Sequence, residues 1–158
     1  DGQVNREEYD VIRNLGVGDY GMVGIRLRGE WRGDVTEQAI VWREKRAYPN
    51  VSAPLHFRGV LFSVRNGGIL ATHDARTGIL IRAARTMEGI GDYYSSPVLA
   101  NGHVYFAGEQ GTITVVRAAG DWEIVAVNPL GEEIHATPAM EGRRLFVRTR
   151  ESLFCFQE

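Results

Sequence analysis

The sequence predicts an all-β fold, and three observations support this prediction. A unit that contains a proline recurs along the chain, and Pro54, Pro97 and Pro138 lie 43 and then 41 residues apart. Each proline is followed by a glycine turn and by short runs of β-branched and aromatic residues, which are typical of strands. A sustained i, i+3, i+4 apolar pattern, which would predict a helix, is not found.

Each unit contains two apolar runs separated by a polar turn. The first runs cover residues 60–62, 104–106 and 145–147, and the second runs cover 69–71, 112–115 and 153–156. The turns at Gly67 and Gly111 predict tight hairpins, which need glycine at positive φ. Several runs are apolar at both odd and even positions, which point to opposite faces of a strand. We therefore expect both faces of each sheet to be covered by neighbouring sheets. A period of about 40–45 residues with four strands per unit is typical of β-propeller blades.

The predicted architecture is therefore a partial β-propeller of about three and a half four-stranded antiparallel blades. Its segments are 1–46 (the end of a preceding blade and its connector), 47–90 (a blade), 91–133 (a blade) and 134–158 (a partial C-terminal blade). Residues 22–27 are predicted to be a strand. Residues 1–20 are ambiguous, with a candidate short turn at residues 6–10.

Four stretches resemble a known repeat. Residues 96–106 (SPVLANGHVYF) match the first half of the pyrroloquinoline-quinone-like (PQQ-like) β-propeller repeat, and residues 74–78 (DARTG) match the turn before its outer strand. Residues 33–36 and 40–42 resemble the end of a preceding blade. The resemblance covers roughly residues 20–158. It implies a ring of six to eight blades, of which this chain would be the C-terminal part.

Composition and charge exclude several classes of partner. Eighteen Lys and Arg against 20 Asp and Glu give a net charge of −2, which does not favour binding to nucleic acid through bulk charge. No apolar run reaches the roughly 18–20 residues of a membrane span. The single cysteine, Cys155, excludes an internal disulfide framework and a zinc site built on cysteines. It lies in an apolar run and is predicted to be a small buried side chain.

A glycine-rich stretch, residues 15–23 (LGVGDYGMV), fits G-x-G-x-x-G and even its kinase form. A kinase would also need a strand lysine and the H-R-D and D-F-G motifs, and the sequence has none of them. A dinucleotide-binding fold would need a crossover helix after the glycines, which is not predicted. We interpret the stretch as a turn that enters the strand at 22–27.

The resemblance also raises an enzymatic alternative, a PQQ-dependent quinoprotein dehydrogenase. Such enzymes bind the quinone with Ca²⁺, use a catalytic aspartate, and often carry adjacent cysteines, which this chain lacks. Their blades repeat a docking pattern that ends in tryptophan, whereas here Ile81 takes that position and residues 118–122 (AAGDW) replace the motif in the next unit. We therefore predict no catalytic, cofactor-binding or metal-binding residues, and retain PQQ with Ca²⁺ only under the alternative.

The four histidines do not form a local metal-ligand pair. His56, His73, His103 and His135 are never two or four residues apart. They are predicted to lie on the surface or at strand edges.

The blade geometry predicts one candidate partner-binding face. In an up-and-down blade, the connector that enters the first strand and the turn between the second and third strands lie on the same side of the ring. Aromatic and arginine side chains on such a face would suit a protein partner. The predicted members are Tyr48, Arg65, Tyr93, Tyr94, Glu109, His135 and Arg150.

The sequence thus predicts a non-catalytic propeller segment that serves as a protein-binding or scaffolding surface. Its resemblance to bacterial propeller lipoproteins of outer-membrane protein assembly implies a periplasmic or secreted location. Three and a half blades do not close a ring, so we expect exposed apolar ends and self-association, unless a partner or the remaining blades cover them. The predicted apolar ends are Val23, Ile25 and Leu27 on one side, and Phe146, Phe154 and Phe156 on the other.

Overall fold

The structure, a computed structural model, describes residues 21–157, and in them the chain forms four antiparallel sheets. The glycine-rich residues 15–20 and the candidate turn at 6–10 lie outside this range. We name the sheets blades 1 to 4 in chain order. Blade 1 is β1 (Met22–Ile25) and β2 (Ile40–Glu44), with a one-turn helix, α1 (Thr36–Ala39), between them. Blade 2 is β3 (Leu55–Phe57), β4 (Val60–Arg65), β5 (Ile69–Asp74) and β6 (Leu80–Arg85). Blade 3 is β7 (Val98–Ala100), β8 (His103–Ala107), β9 (Thr112–Arg117) and β10 (Ile124–Pro129). Blade 4 is β11 (Ala139–Glu141), β12 (Arg144–Arg148) and β13 (Leu153–Gln157).

The strand order confirms the predicted fold class, a partial β-propeller of four-stranded antiparallel blades. Blades 2 and 3 have four strands in chain order, and blade 4 has three. The two strands of blade 1 correspond to the third and fourth strands of the others, because the pairing register shifts at the same place in each, next to Ile25, His73 and Ile124. Between residues 50 and 157 no helix is present.

The core lies between the blades. Phe62, Val64 and Leu70 of blade 2 pack against Val104 and Phe106 of blade 3, and all five side chains are buried. The opposite face of blade 3 packs in the same way against blade 4, with Ile113 and Val115 against Val147. The middle strands of blade 3 are therefore apolar on both faces, because a neighbouring blade covers this sheet on each side.

Hydroxyl groups beside the repeated prolines join neighbouring units. The Oγ of Ser52 donates to the carbonyl of Val64, and the buried Ser95 makes the equivalent bond to Ala107. The backbone N–H of Ala53 donates to Ser96 Oγ at 3.0 Å, linking one unit to the next. The N–H of Ser96 donates in turn to Thr137 Oγ1 at 2.9 Å. The hydroxyl residues directly before the second and third prolines, Ser96 and Thr137, thus fix the position of each blade relative to the one before it.

Aromatic side chains close the outer rim. The indole N–H of Trp42, on the fourth strand of blade 1, donates to the carbonyl of Ala75 in blade 2 at 3.1 Å. The ring lies so close to Gly78 that a Cβ there would clash with it. Between blades 2 and 3 the arrangement is reversed. There Trp122 comes from the turn of the following blade, and the Arg82 guanidinium lies 4.9 Å from its ring centroid.

Two predictions about single residues are wrong. His73 was predicted to lie on the surface, but it is completely buried and neither ring nitrogen has a hydrogen-bond partner within the described residues. Its position on the third strand places it between sheets. Cys155 was predicted to be buried, but it is exposed. It lies on β13, where no fourth strand and no following blade cover it among residues 21–157, whereas the equivalent Val115 of blade 3 is buried by blade 4.

The hairpin turn at Gly111 is the clearest test of the predicted strand register. Gly111 has φ +84°, and a Cβ there would clash with the backbone carbonyl of Glu132. We expect Gly111→Val to reduce the free energy of unfolding by about 1–3 kcal/mol, because it adds backbone strain and a contact that only backbone movement can relieve. Chemical denaturation of both proteins measures the difference.

Gly102 provides a matched control. It also has a positive φ, +72°, but no heavy atom lies within 4 Å of its added Cβ. Gly102→Val should therefore reduce the free energy of unfolding only through the backbone strain of a positive φ, on the order of 1 kcal/mol. Equal losses for the two variants would show that the close approach to Glu132 is wrong.

The buried His73 predicts a pH dependence of stability. Burial lowers the pKa of His73, and the carboxylate of Glu44 acts in the opposite direction. An unfolded histidine titrates near pH 6.5, so its contribution to folding is complete above about that value. At lower pH the unfolded chain takes up a proton that the folded chain excludes, and stability falls until the folded pKa is reached.

We expect His73→Leu to flatten this dependence, because the variant has no imidazole to protonate. Thermal melts between about pH 7 and about pH 5 should show a smaller drop in Tm for the variant than for the parent. An unaltered slope in the His73 variant would contradict the assignment.

Candidate functional site

The entering connectors and the second-to-third-strand turns meet on one side of the molecule. We call this surface the turn face; it consists of the turns at 66–68, 108–111 and 149–152 and the connectors at 45–54, 86–97 and 130–138. Backbone hydrogen bonds join each turn to the connector beside it. They run from Gly67 N to Gly91 O at 2.8 Å, from Glu109 N to Asp92 O at 2.9 Å and from Arg150 N to Glu133 O at 2.9 Å.

A polar cluster lies on this face where the connector between blades 3 and 4 passes. The Nε2 of His135 lies 3.8 Å from Glu109 Oε1 and 3.8 Å from Glu133 Oε2. Glu133 Oε2 also accepts a hydrogen bond from Arg150 Nη1 at 3.3 Å. The ring of Tyr94 lies against the imidazole, with centroids 5.3 Å apart. We call these five residues the His135 cluster.

The His135 cluster is open to solvent. About half of the His135 and Glu133 side chains is exposed, and Tyr94 is 41% exposed. Ion pairs in such a setting contribute little to folding stability, because water screens them. These contacts nevertheless place an aromatic ring and charged groups of both signs next to one another. A protein partner could contact these groups directly. An adjacent hollow of about 430 Å³ is lined by Glu133, His135, Ala136, Arg148, Thr149 and Arg150.

Two other residues of the predicted partner-binding face lie in or beside the connector that enters blade 2. Arg65 Nη1 donates to the carbonyl of Arg46 at 3.3 Å, so its guanidinium is held next to that connector. Tyr48 lies in the same connector and is half-buried.

Tyr93 is not part of the exposed surface, which corrects the prediction. Its side chain is 1% exposed, and its hydroxyl donates to the carbonyl of Gly89 at 2.7 Å. Burial raises the pKa of Tyr93, and the polar side chains of Gln110 and Thr86 act in the opposite direction. The connector is extended here, so Tyr93 points into the core while its neighbour Tyr94 points out.

The sequence reasoning missed two glutamates on the same connector. Glu133 joins His135 to Arg150. Glu132 accepts hydrogen bonds from Thr149 Oγ1, from Ser152 Oγ at 3.0 Å and from the N–H of Glu151. These hydrogen bonds lower the pKa of Glu132, and the bond from Thr149 has the largest effect. The turn at 149–152 is thereby anchored. A pair of acidic residues before His135 was the available signal.

The described residues do not form a metal centre. Across residues 21–157, no group of three or more His, Cys, Asp or Glu side chains is placed to hold a metal ion. None of the helical structure in this range is long and apolar enough to cross a membrane.

Comparison with known proteins supports the fold. Ninety-five chains of solved structures are similar to this one. One is the crystal structure of BamB from Moraxella catarrhalis, with a TM-score of 0.62 and 19% sequence identity over 75% of this chain. The similar region is 37% of the BamB chain, so this protein spans well under half of that structure. At this identity the likeness shows the propeller fold alone. No protein-family model matches the chain, and no curated protein matches it in sequence.

Proposed function

We propose that this chain is a non-catalytic β-propeller segment that binds a protein partner through its turn face. The observation that carries the proposal is the His135 cluster. It presents an exposed tyrosine, an imidazole and an arginine side by side on a rigid backbone. Tyrosine and arginine are the side chains most enriched at the energetic centres of protein interfaces.

The backbone beneath the cluster supports the same proposal. Each turn of the face is bonded to a connector, and Glu132 anchors the turn that carries Arg150. A pre-ordered surface loses little conformational entropy when a partner binds. The resemblance of the repeat to bacterial propeller lipoproteins favours a periplasmic or secreted location, which we propose along with the binding role.

The resemblance of the repeat also carries an enzymatic alternative, a PQQ-dependent dehydrogenase. Adding the quinone with Ca²⁺ and measuring cofactor absorbance and dye reduction would separate the two proposals.

Substitutions in the His135 cluster test the binding role. We expect Tyr94→Ala and Arg150→Glu each to weaken partner binding by about tenfold or more, the loss typical of a central interface residue. A partner is first captured from a bacterial envelope extract and identified. Its affinity for each purified variant is then measured by calorimetry.

Arg76→Glu is the matched control for this test. Arg76 is exposed on the turn between the third and fourth strands of blade 2, which lies on the opposite side of the ring. The Arg76→Glu variant makes the same charge change as Arg150→Glu, and it should leave partner binding intact. Equal losses at positions 76 and 150, or no loss at position 94, would contradict the proposed face.

The exposed apolar ends predict self-association of the isolated chain. Ile25 at the blade 1 end and Leu153 at the blade 4 end are 59% and 68% exposed. Light scattering should report a mass above the 17.6 kDa of one chain. The double variant Ile25→Lys, Leu153→Lys should shift it toward the monomer, whereas Ile79→Lys, at an exposed apolar site away from both ends, should not. A parent that stays monomeric at every concentration would disprove this prediction.

A further inference from the structure

The turn of blade 2 at residues 66–68 is enclosed by a connector on each side. On one side, the N–H of Asn66 donates to Asn50 Oδ1 at 3.1 Å, which joins the turn to the connector that enters blade 2. On the other side, the N–H of Gly67 donates to Gly91 O at 2.8 Å, which joins it to the connector that enters blade 3. Side chains from both connectors therefore surround this turn.

The connector into blade 3 begins with a tight loop, residues 86–91, that holds two apolar side chains outward. The Tyr93 hydroxyl donates to Gly89 O at 2.7 Å, and a Cβ at Gly89 would clash with that hydroxyl. With its middle held against Tyr93, the loop exposes Met87 and Ile90, which are 71% and 48% exposed. Blades 2 and 3 both have four strands, so this exposure does not come from an incomplete sheet.

Three exposed arginines lie around the same turn. Arg65 Nη1 donates to the carbonyl of Arg46 at 3.3 Å. The guanidinium of Arg85 lies beside Gly67, because a Cβ at that glycine would be 3.6 Å from Arg85 Nη2. Within residues 21–157, no ion pair engages any of these three guanidinium groups. Their N–H donors are therefore open to an anionic partner.

Charge divides the turn face into two halves. Around blade 2 the basic residues outnumber the acidic ones, with Lys45, Arg46, Arg65 and Arg85 against Glu44 and Glu88. Around the turns of blades 3 and 4 the excess is acidic, with Asp92, Glu109, Glu132, Glu133 and Glu151 against His135, Arg148 and Arg150. A broad anionic surface, such as a bilayer, would be repelled by the acidic half, whereas a narrow acidic segment can contact the basic half alone.

We propose that the blade 2 patch, which consists of Arg46, Arg65, Arg85, Met87 and Ile90, binds an acidic polypeptide segment that carries an apolar side chain. The carboxylates of the segment pair with the guanidinium groups, whose planar sets of N–H donors match carboxylate geometry. Its apolar side chain packs on Met87 and Ile90, which water otherwise contacts. This inference rests on the turn face as the binding surface, and it names the chemistry of a segment bound apart from the His135 cluster.

Selection from a library of random peptides tests this chemistry without a known partner. The complete chain is immobilised, and the peptides that it retains are sequenced. We expect the enriched peptides to carry clustered Asp and Glu beside an aromatic or aliphatic residue. The most enriched one, fluorescently labelled, should bind saturably by anisotropy, and its binding should weaken as salt is raised.

Two matched pairs of variants locate the bound peptide. Arg85→Glu should weaken binding about tenfold or more, whereas Arg76→Glu, with the same charge change on the opposite side of the ring, should have no effect. Met87→Ser should weaken binding about fivefold, because it removes part of the apolar contact. Ile79→Ser, at an apolar site that is 65% exposed, should bind as the parent does. Circular dichroism checks that each variant folds, and Arg65→Glu provides the same comparison if Arg85→Glu does not.

Absence of enrichment, enriched peptides without acidic residues, or equal losses at positions 76 and 85 would overturn the proposal. A peptide lost in Tyr94→Ala and unaffected by Arg85→Glu and Met87→Ser would overturn it too, while the turn face would remain the binding surface. A captured partner that competes with the peptide but tolerates Tyr94→Ala would contradict the role of the His135 cluster alone.

Vesicles of phosphatidylglycerol and phosphatidylcholine, mixed one to three, form the last arm of the test. We expect the parent chain not to sediment with them. Sedimentation that is lost in Met87→Ser would assign the patch to a lipid surface and overturn the proposal.

Discussion

The apolar seam between neighbouring blades is the constraint on which the rest of the structure depends. Val115 and Val116 are consecutive residues of one strand, and they are buried in different seams, Val115 against blade 4 and Val116 against blade 2. A sheet with two such faces cannot be stable alone in water, because both apolar faces would be exposed. Each blade therefore depends on the blades beside it. The repeated hydroxyl bonds at Ser96 and Thr137 set the spacing at which the seams close.

The turn face is a consequence of this spacing. Each connector runs from the fourth strand of one blade to the first strand of the next, and on the way it passes beneath the turns, whose backbone groups bond to it. Side chains that are distant in sequence, such as Tyr94, Glu109 and His135, then meet without a dedicated structural element. The cluster can change its side chains while the backbone below it stays fixed. A propeller can therefore vary its partners while the seams that hold it together are preserved.

Strands and turns were predictable from the sequence because their signals are local. Glycine at Gly67 and Gly111, and apolar runs of about five residues, identify hairpins wherever they occur. The burial of individual side chains was less predictable, because it depends on which sheet lies opposite. His73 is buried because blade 1 covers it, and Cys155 is exposed because nothing in the described residues covers it. Tyr93 and Tyr94 are consecutive residues of one connector, and their side chains face opposite ways, so the first is buried and the second is exposed. The His135 cluster was partly predicted, since the repeat aligned its turns, but the alignment did not single out Glu132 and Glu133.

The open rim at blade 4 follows from the same repeat that closes the other seams. Between blades 2 and 3 the seam is sealed from outside by Trp122, a residue that comes after the third strand rather than within it. A blade whose third strand is at an edge therefore presents its inner seam packed and its rim open. That is the distribution seen here, with Val147 fully buried and Phe156 exposed on neighbouring strands. The rim and the turn face lie on different sides of the blades.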